Sequence, residues 1–229
     1  MDTSKNANTI YHAGPPLGWV ATVYAVVFII GLLPVTTFGG KPYFPGPWET
    51  PGVIQAFFQT RPSSVVLCAF FQFGAAIPLG IFTASIVSQL RFLGARVAGT
   101  FIALFGGFMT AFNLSSSALL LWTMVHPGIA SDSMLLNALY YFSYALGGPG
   151  FSVPTGLLIA GITIPSAFMK LLPKWMIVVG IIIAIMGELS WFNLEFPQIL
   201  PLIPLTRFPG FIWLIIAGFK LPNSKMSNP

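Results

Sequence analysis

Two residues carry charge into the middle of otherwise apolar stretches of this chain, Glu188 and Arg207. An ionisable group at the centre of a bilayer costs about 2.5–3.5 kcal/mol on insertion scales, so each calls for a partner. Glu188 lies thirteen residues beyond Trp175, and Arg207 lies thirteen residues before Lys220. At about 1.5 Å per residue, both sit roughly 20 Å from the same membrane face. The two stretches are consecutive and hence antiparallel, which predicts a Glu188–Arg207 pair. Pairing removes much of the cost that either charge meets alone. Three uses stay open: a structural pin between two helices, a functional site, or an Arg207 that snorkels to the outer surface. Pro201, Pro204 and Pro209 make that part of the chain irregular enough for the third.

Other polar residues fall at a similar or slightly shallower depth: Gln72, Asn113, Ser115, Ser116, Asn137, Tyr140, Tyr144, Trp191 and Asn193. Their shared level predicts a polar-lined cavity in the outer half of the membrane. Of these, Gln72, Asn113, Asn137, Tyr144 and Trp191 join Glu188 and Arg207 as candidate ligand-binding residues. Each alone is also a common interhelical hydrogen-bonding residue. Glu195, near the outer end of its helix, is expected to be solvated.

Residue patterns for catalysis are scarce. His126 and Asp132 share a short loop but make a poor metal site, since a catalytic zinc usually has three protein ligands. His12 lies toward the opposite face. Gly147-Gly148-Pro149-Gly150 lacks the Lys-Ser/Thr of a phosphate loop. No nucleophile elbow, paired catalytic carboxylates or Cys–His arrangement is visible. The single cysteine, Cys68, excludes an internal disulfide and reads as a small packing residue. No cofactor or metal is expected, and the balance leans away from an enzyme.

What must position these residues is a membrane bundle. Only 7% of the 229 residues are charged and 55% are hydrophobic. Soluble domains carry roughly 25% charged residues, so lipid is the solvent for most of this chain. The net charge of +5 is spread singly or in pairs, which argues against nucleic acid. Six apolar stretches stand out, about 17–37, 63–90, 97–122, 134–169, 175–194 and 199–220. Each reaches the roughly 20 residues that a spanning helix needs. The fold class is therefore all-α, a single membrane domain of six transmembrane helices. The first stretch is too long for a signal-peptide core and reads as a retained span. The fourth is too long for one straight span, and its glycines and prolines from Gly147 to Pro154 predict a kink or break. Two re-entrant pieces are the alternative.

Arg91 and Arg96, Lys170 and Lys174, and Lys220 and Lys225 all fall on one side if the chain crosses six times. The positive-inside tendency makes that side cytoplasmic, with both termini inside. Helix one fits less well, with Lys41 and Arg61 on its outer flank against Lys5 on its inner flank. The outer loop 39–62 holds Tyr43, Phe44 and Trp48, which suit the headgroup region. Thr50-Pro51 could start a short interfacial helix carrying Val53, Ile54, Phe57 and Phe58 on one face; an ordinary surface loop is the alternative.

Short internal matches fit a three-fold repeat of a helix hairpin. They pair 74–80 with 150–156, 112–114 with 192–194, 149–151 with 209–211, and 159–161 with 216–218. Chance matches are common in so restricted an alphabet, so the repeat stays open. Gly99, Ala103, Gly107 and Ala111 recur every four residues, a spacing that lets another backbone approach. Gly180, Ala184 and Glu188 share a face likewise, which turns Glu188 toward protein.

The stretch from Arg207 to Pro222 (RFPGFIWLIIAGFKLP), together with Leu157-Leu-Ile-Ala-Gly161, resembles small multi-pass bacterial membrane proteins of uncharacterised function. The resemblance covers the last two-fifths of the chain. It implies a bacterial cytoplasmic membrane and no particular activity.

Three functions remain in order. The first is binding or transport of a small or amphipathic ligand in an outward cavity, with Arg207 as cationic anchor. The second is an accessory or scaffold subunit, docked on a membrane protein partner or on further copies of itself. The third is an intramembrane enzyme acting on a lipid-like substrate, with Glu188 as acid or base. Membrane lipid is a partner in all three.

Overall fold

A computed structural model describes residues 9–226, and Lys5 lies outside them. Six helical segments are long and apolar enough to cross a membrane. They are α1 (Leu17–Leu32), α3 (Pro62–Phe92), α4 (Ala98–Met124), a two-part span α6 (Ser133–Gly147) and α7 (Pro149–Phe168), α8 (Lys174–Leu189) and α9 (Leu202–Lys220). Two shorter helices, α2 (Pro51–Thr60) and α5 (Pro127–Ala130), lie between spans. In lipid a backbone must satisfy its own hydrogen bonds, which leaves helices as the form these stretches can take. Proline opens α2, α3, α5 and α7 at the first-turn positions, where its missing N–H is harmless.

The spans pack in a ring that follows chain order. α1 packs on α3, α3 on α4, α4 on α6 and α7, α7 on α8, and α8 on α9, and α9 closes back on α1. α7 also touches α9 and α3, and it is the most buried of the spans. Large apolar residues such as Phe70, Ile77, Phe105, Ile182 and Ile212 face outward, as a bilayer-facing surface requires.

The seam of α4 against α6 and α7 explains the small residues. Cβ atoms on Gly106 and Gly161 would overlap the facing backbone, at Pro154 and Leu158 for the first and at Gly99 and Ala103 for the second. The expected stripe is shared between neighbours, however. Gly99 and Ala103 face α7, whereas Gly107 faces Thr83 of α3. A period of four drifts by about 40° per step around a helix of 3.6 residues per turn, so one stripe serves two partners.

The fourth span is one kinked crossing. Along α4 and its neighbour, Ser117 Oγ lies 3.0 Å from Ser143 Oγ, and Asn113 Nδ2 donates to the Gly150 carbonyl at 2.5 Å. Further on, Thr110 and Thr155 hydroxyls lie 3.4 Å apart, and Gly99 meets Gly161 and Pro165. As one number falls the other climbs, from the first half through the second. That is a single antiparallel path, not two re-entrant pieces. The break is confined to Gly148, with φ −91° and ψ −104°.

The two ends of the bundle differ. At one, here the terminal end, strand β1 (Thr9–Tyr11) pairs antiparallel with β2 (Ser224–Met226). Gln89 donates to the Pro222 carbonyl at 2.7 Å, and Lys225 Nζ donates to the Phe92 carbonyl at 3.1 Å. Both described ends of the chain therefore lie together. At the distal end, α2 buries Ile54, Phe57 and Phe58 against Val65, Cys68, Met124 and Tyr140. Val53, expected on that face, is half exposed. Gln55 and Gln59 tie α2 to the Ala130 carbonyl. Arg61 donates to the carbonyls of Pro34, Gly39, Gly40 and Lys41, so its charge organises the loop.

Gly161→Ala should lower stability in detergent by about 1–3 kcal/mol, because two backbones must separate. Gly80→Ala, where a Cβ meets nothing within 4 Å, should be neutral or slightly stabilising. Thermal unfolding of both variants checks the seam; equal effects would contradict it.

Candidate functional site

Helix breaks leave backbone groups without partners, and two such groups set the site. In an unbroken helix the Gly147 carbonyl would accept from Phe151 N–H. That N–H instead donates to the Gly148 carbonyl at 3.1 Å. The freed Gly147 oxygen accepts from Arg207 Nη2. Likewise Pro154 has no N–H to offer the Gly150 carbonyl, and Asn113 Nδ2 supplies the donor. Side chains from α9 and α4 thus complete the backbone of the kinked span.

The Arg207 guanidinium is held on three sides. Its carbon lies 4.7 Å from the Phe151 ring centre and 5.4 Å from that of Phe28. Aromatic faces attract a cation, more so without water. The Gly147 carbonyl is the negative end of α6, which favours a positive charge. Even so, Nε is buried with no hydrogen-bond partner.

Arg207 opens onto a cavity of about 290 Å³ in the distal half. Its walls include Phe28 and Leu32 of α1, Cys68 and Gln72 of α3, Leu114, Ala118 and Leu121 of α4, Tyr140 and Tyr144 of α6, and Ile203 and Pro204 of α9. Phe44 forms a roof, packed on Phe57, Phe58 and Tyr140. Phe28, Phe211 and Tyr24 meet edge to face beneath, at ring separations of 4.9 and 5.1 Å. The walls are mainly apolar, unlike the polar lining expected. The polar residues at this level satisfy one another. Ser117 pairs with Ser143, Tyr144 OH donates to Asn193 Oδ1, and Tyr140 OH donates to the Pro45 carbonyl at 2.6 Å. Gln72 is only half satisfied: Nε2 donates to the Phe28 carbonyl at 3.0 Å, and Oε1 is buried without a partner.

Of the seven candidates, Arg207, Gln72 and Tyr144 line this cavity. Asn113 and Trp191 line a second recess of about 370 Å³, between Phe105, Pro154 and Leu194. Asn137 donates to Ser133 within its own helix, and its Oδ1 is buried unpartnered. Glu188 packs against Gly156 of α7, where its Oε1 is buried with no hydrogen-bond partner. The expected Glu188–Arg207 pair is therefore not formed. Counting depth along the sequence says nothing about direction around the helix. The face of α9 turned to α8 carries Trp213, which packs on Gly180 and donates to the Met176 carbonyl at 2.9 Å. Arg207, six residues earlier, points about 120° away from that face, toward α1 and α6. His126 and Asp132 have local tasks: His126 Nδ1 lies 3.1 Å from the Trp122 carbonyl, and Asp132 caps α6 through Leu135 N–H.

Phe28, Phe151 and the Gly147 carbonyl, which hold Arg207, were not among the candidates. The signal for the last was present, since a Gly-Gly-Pro break must expose carbonyls and Arg207 was the free donor at that depth. Comparison with protein-family models, with curated proteins and with solved structures returns no match.

Because the two charges are held separately, the stability losses of Glu188→Gln and Arg207→Gln should add within about 0.5 kcal/mol in a double-mutant cycle. Coupling of about 1 kcal/mol or more would contradict the separation.

Proposed function

We propose that this multi-pass membrane protein binds or carries a small or amphipathic ligand in its distal cavity, with Arg207 as the anchor. The observation that carries the proposal is a guanidinium at the wall of an apolar cavity, with no acid paired to it among the described residues. Pockets for small molecules combine apolar walls with a few polar groups that fix orientation, and this one has Arg207 among its lining residues. A broken helix beside the site is an arrangement common where membrane proteins hold ligands, and Gly147 and Gly148 of the kinked span line this cavity.

A non-catalytic accessory or scaffold role is the second reading. It is favoured by the number of polar side chains at this depth already spent on interhelical bonds, Ser117–Ser143 and Tyr144–Asn193 among them. Ala118→Phe separates the two, because Ala118 lines the cavity and is buried. In nanodiscs it should abolish displacement of an environment-sensitive apolar dye from the cavity, with little change in assembly with partners. If dye binding persists unchanged in Ala118→Phe and in Leu121→Trp, the cavity is not the binding site.

For orientation, we propose a bacterial cytoplasmic membrane with the terminal end inside, supported by Arg91, Arg96, Lys170, Lys174, Lys220 and Lys225. Cys68 is buried, so single added cysteines report cleanly. A membrane-impermeant maleimide applied to intact cells should label Lys41→Cys and spare Asn223→Cys. The reverse pattern would invert the topology.

A further inference from the structure

We infer that the ligand of the distal cavity is an amphipathic carboxylate, with its head on Arg207 and its apolar body along Phe28, Leu114 and Leu121. This rests on the proposal that the cavity binds a ligand, and it names the chemical class.

A guanidinium keeps its charge at any physiological pH, so in apolar surroundings it needs an anion near it. The acids available in the described chain are Glu49, Asp132, Glu188 and Glu195. Asp132 caps α6, Glu195 is exposed, Glu188 lies against Gly156, and Glu49 sits in the distal loop before α2. Among the described residues none of them pairs with Arg207. Its protein neighbours are all uncharged: the Phe28 and Phe151 rings, the Gly147 carbonyl and the Tyr144 side chain. One carbonyl and two ring faces offset part of the cost, and the buried Nε remains without an acceptor. The described residues hold no countercharge for it, and we assign that charge to a bound anion.

The cavity also limits what that anion is. Its walls give an apolar body a place to lie, so a small hydrophilic ion would leave most of the surface unused. Few donors converge on the head position. Tyr144 OH is committed to Asn193, Tyr140 OH to Pro45, and Ser117 and Ser143 to each other. A phosphate would therefore leave buried oxygens without donors, which costs free energy for each one. A carboxylate has two oxygens, which the Nη1 hydrogens and the Nη2 hydrogen not given to Gly147 can serve.

The test measures binding to the full-length protein in nanodiscs, corrected by empty nanodiscs. The probes are octanoate, methyl octanoate and inorganic phosphate. Octanoate should bind about tenfold or more tightly than its methyl ester, the ratio expected of a charge-assisted hydrogen bond. Phosphate should neither bind nor compete. The preference for acid over ester should vanish in Arg207→Gln; if that variant does not fold, the acid-to-ester ratio of the unaltered protein decides alone. Equal binding of acid and ester would overturn the anionic assignment and leave the cavity proposal standing. Phosphate competing as well as octanoate would overturn the choice of a carboxylate. Failure of both octanoate and its ester to bind would overturn the cavity proposal as well.

Discussion

A guanidinium placed in an apolar interior organises this molecule. Charge in a low-dielectric medium must find opposite charge, dipoles or polarisable faces. Arg207 finds a helix C-terminus at Gly147 and two aromatic rings, Phe28 and Phe151. Those groups belong to α6, α1 and α7, so one side chain from α9 links four segments of the ring. Each depends on the others. Without the break at Gly148 the Gly147 carbonyl would be spent inside the helix, and without Arg207 that carbonyl would be a buried orphan.

The kinked span is costly for the same reason that it is useful. Proline and glycine remove backbone partners in a medium that offers no water to replace them. The bundle answers by reaching across, with Asn113 serving the Gly150 carbonyl beside Pro154 and Arg207 serving Gly147. Repairs from neighbouring helices fix the kink in place and leave a gap between α1, α3, α4, α6 and the start of α9. The cavity is that gap. Phe44 and α2 cover it at the distal end, and the edge-to-face rings of Phe28, Phe211 and Tyr24 close it toward the terminal end.

Much of this architecture was legible in the residues. Twenty apolar residues in a row are a strong signal because the bilayer sets their length, and the structure holds six helical segments long and apolar enough to span one. The kink was legible because Gly-Gly-Pro cannot continue a helix unaided. Direction around each helix was not. Depth can be counted along a sequence, but the azimuth of Glu188 and Arg207 depends on how α7, α8 and α9 pack, and small residues face two neighbours at once. The pairing of Thr9–Tyr11 with Ser224–Met226 was invisible as well. Those strands are short and carry no pattern of their own; closure of the ring by α1 and α9 brings them together. A polar lining was expected for the cavity, and its walls are mainly apolar. Asn and Ser side chains in a membrane seek each other first, which leaves apolar walls around Arg207.

Native mass spectrometry of the protein released from its own membrane in mild detergent tests the central claim most directly. The account predicts one retained acidic small molecule per chain, present in the unaltered protein and absent when Ala118→Phe fills the cavity. Protein that consistently flies empty, or an acid retained equally with the cavity filled, would contradict it.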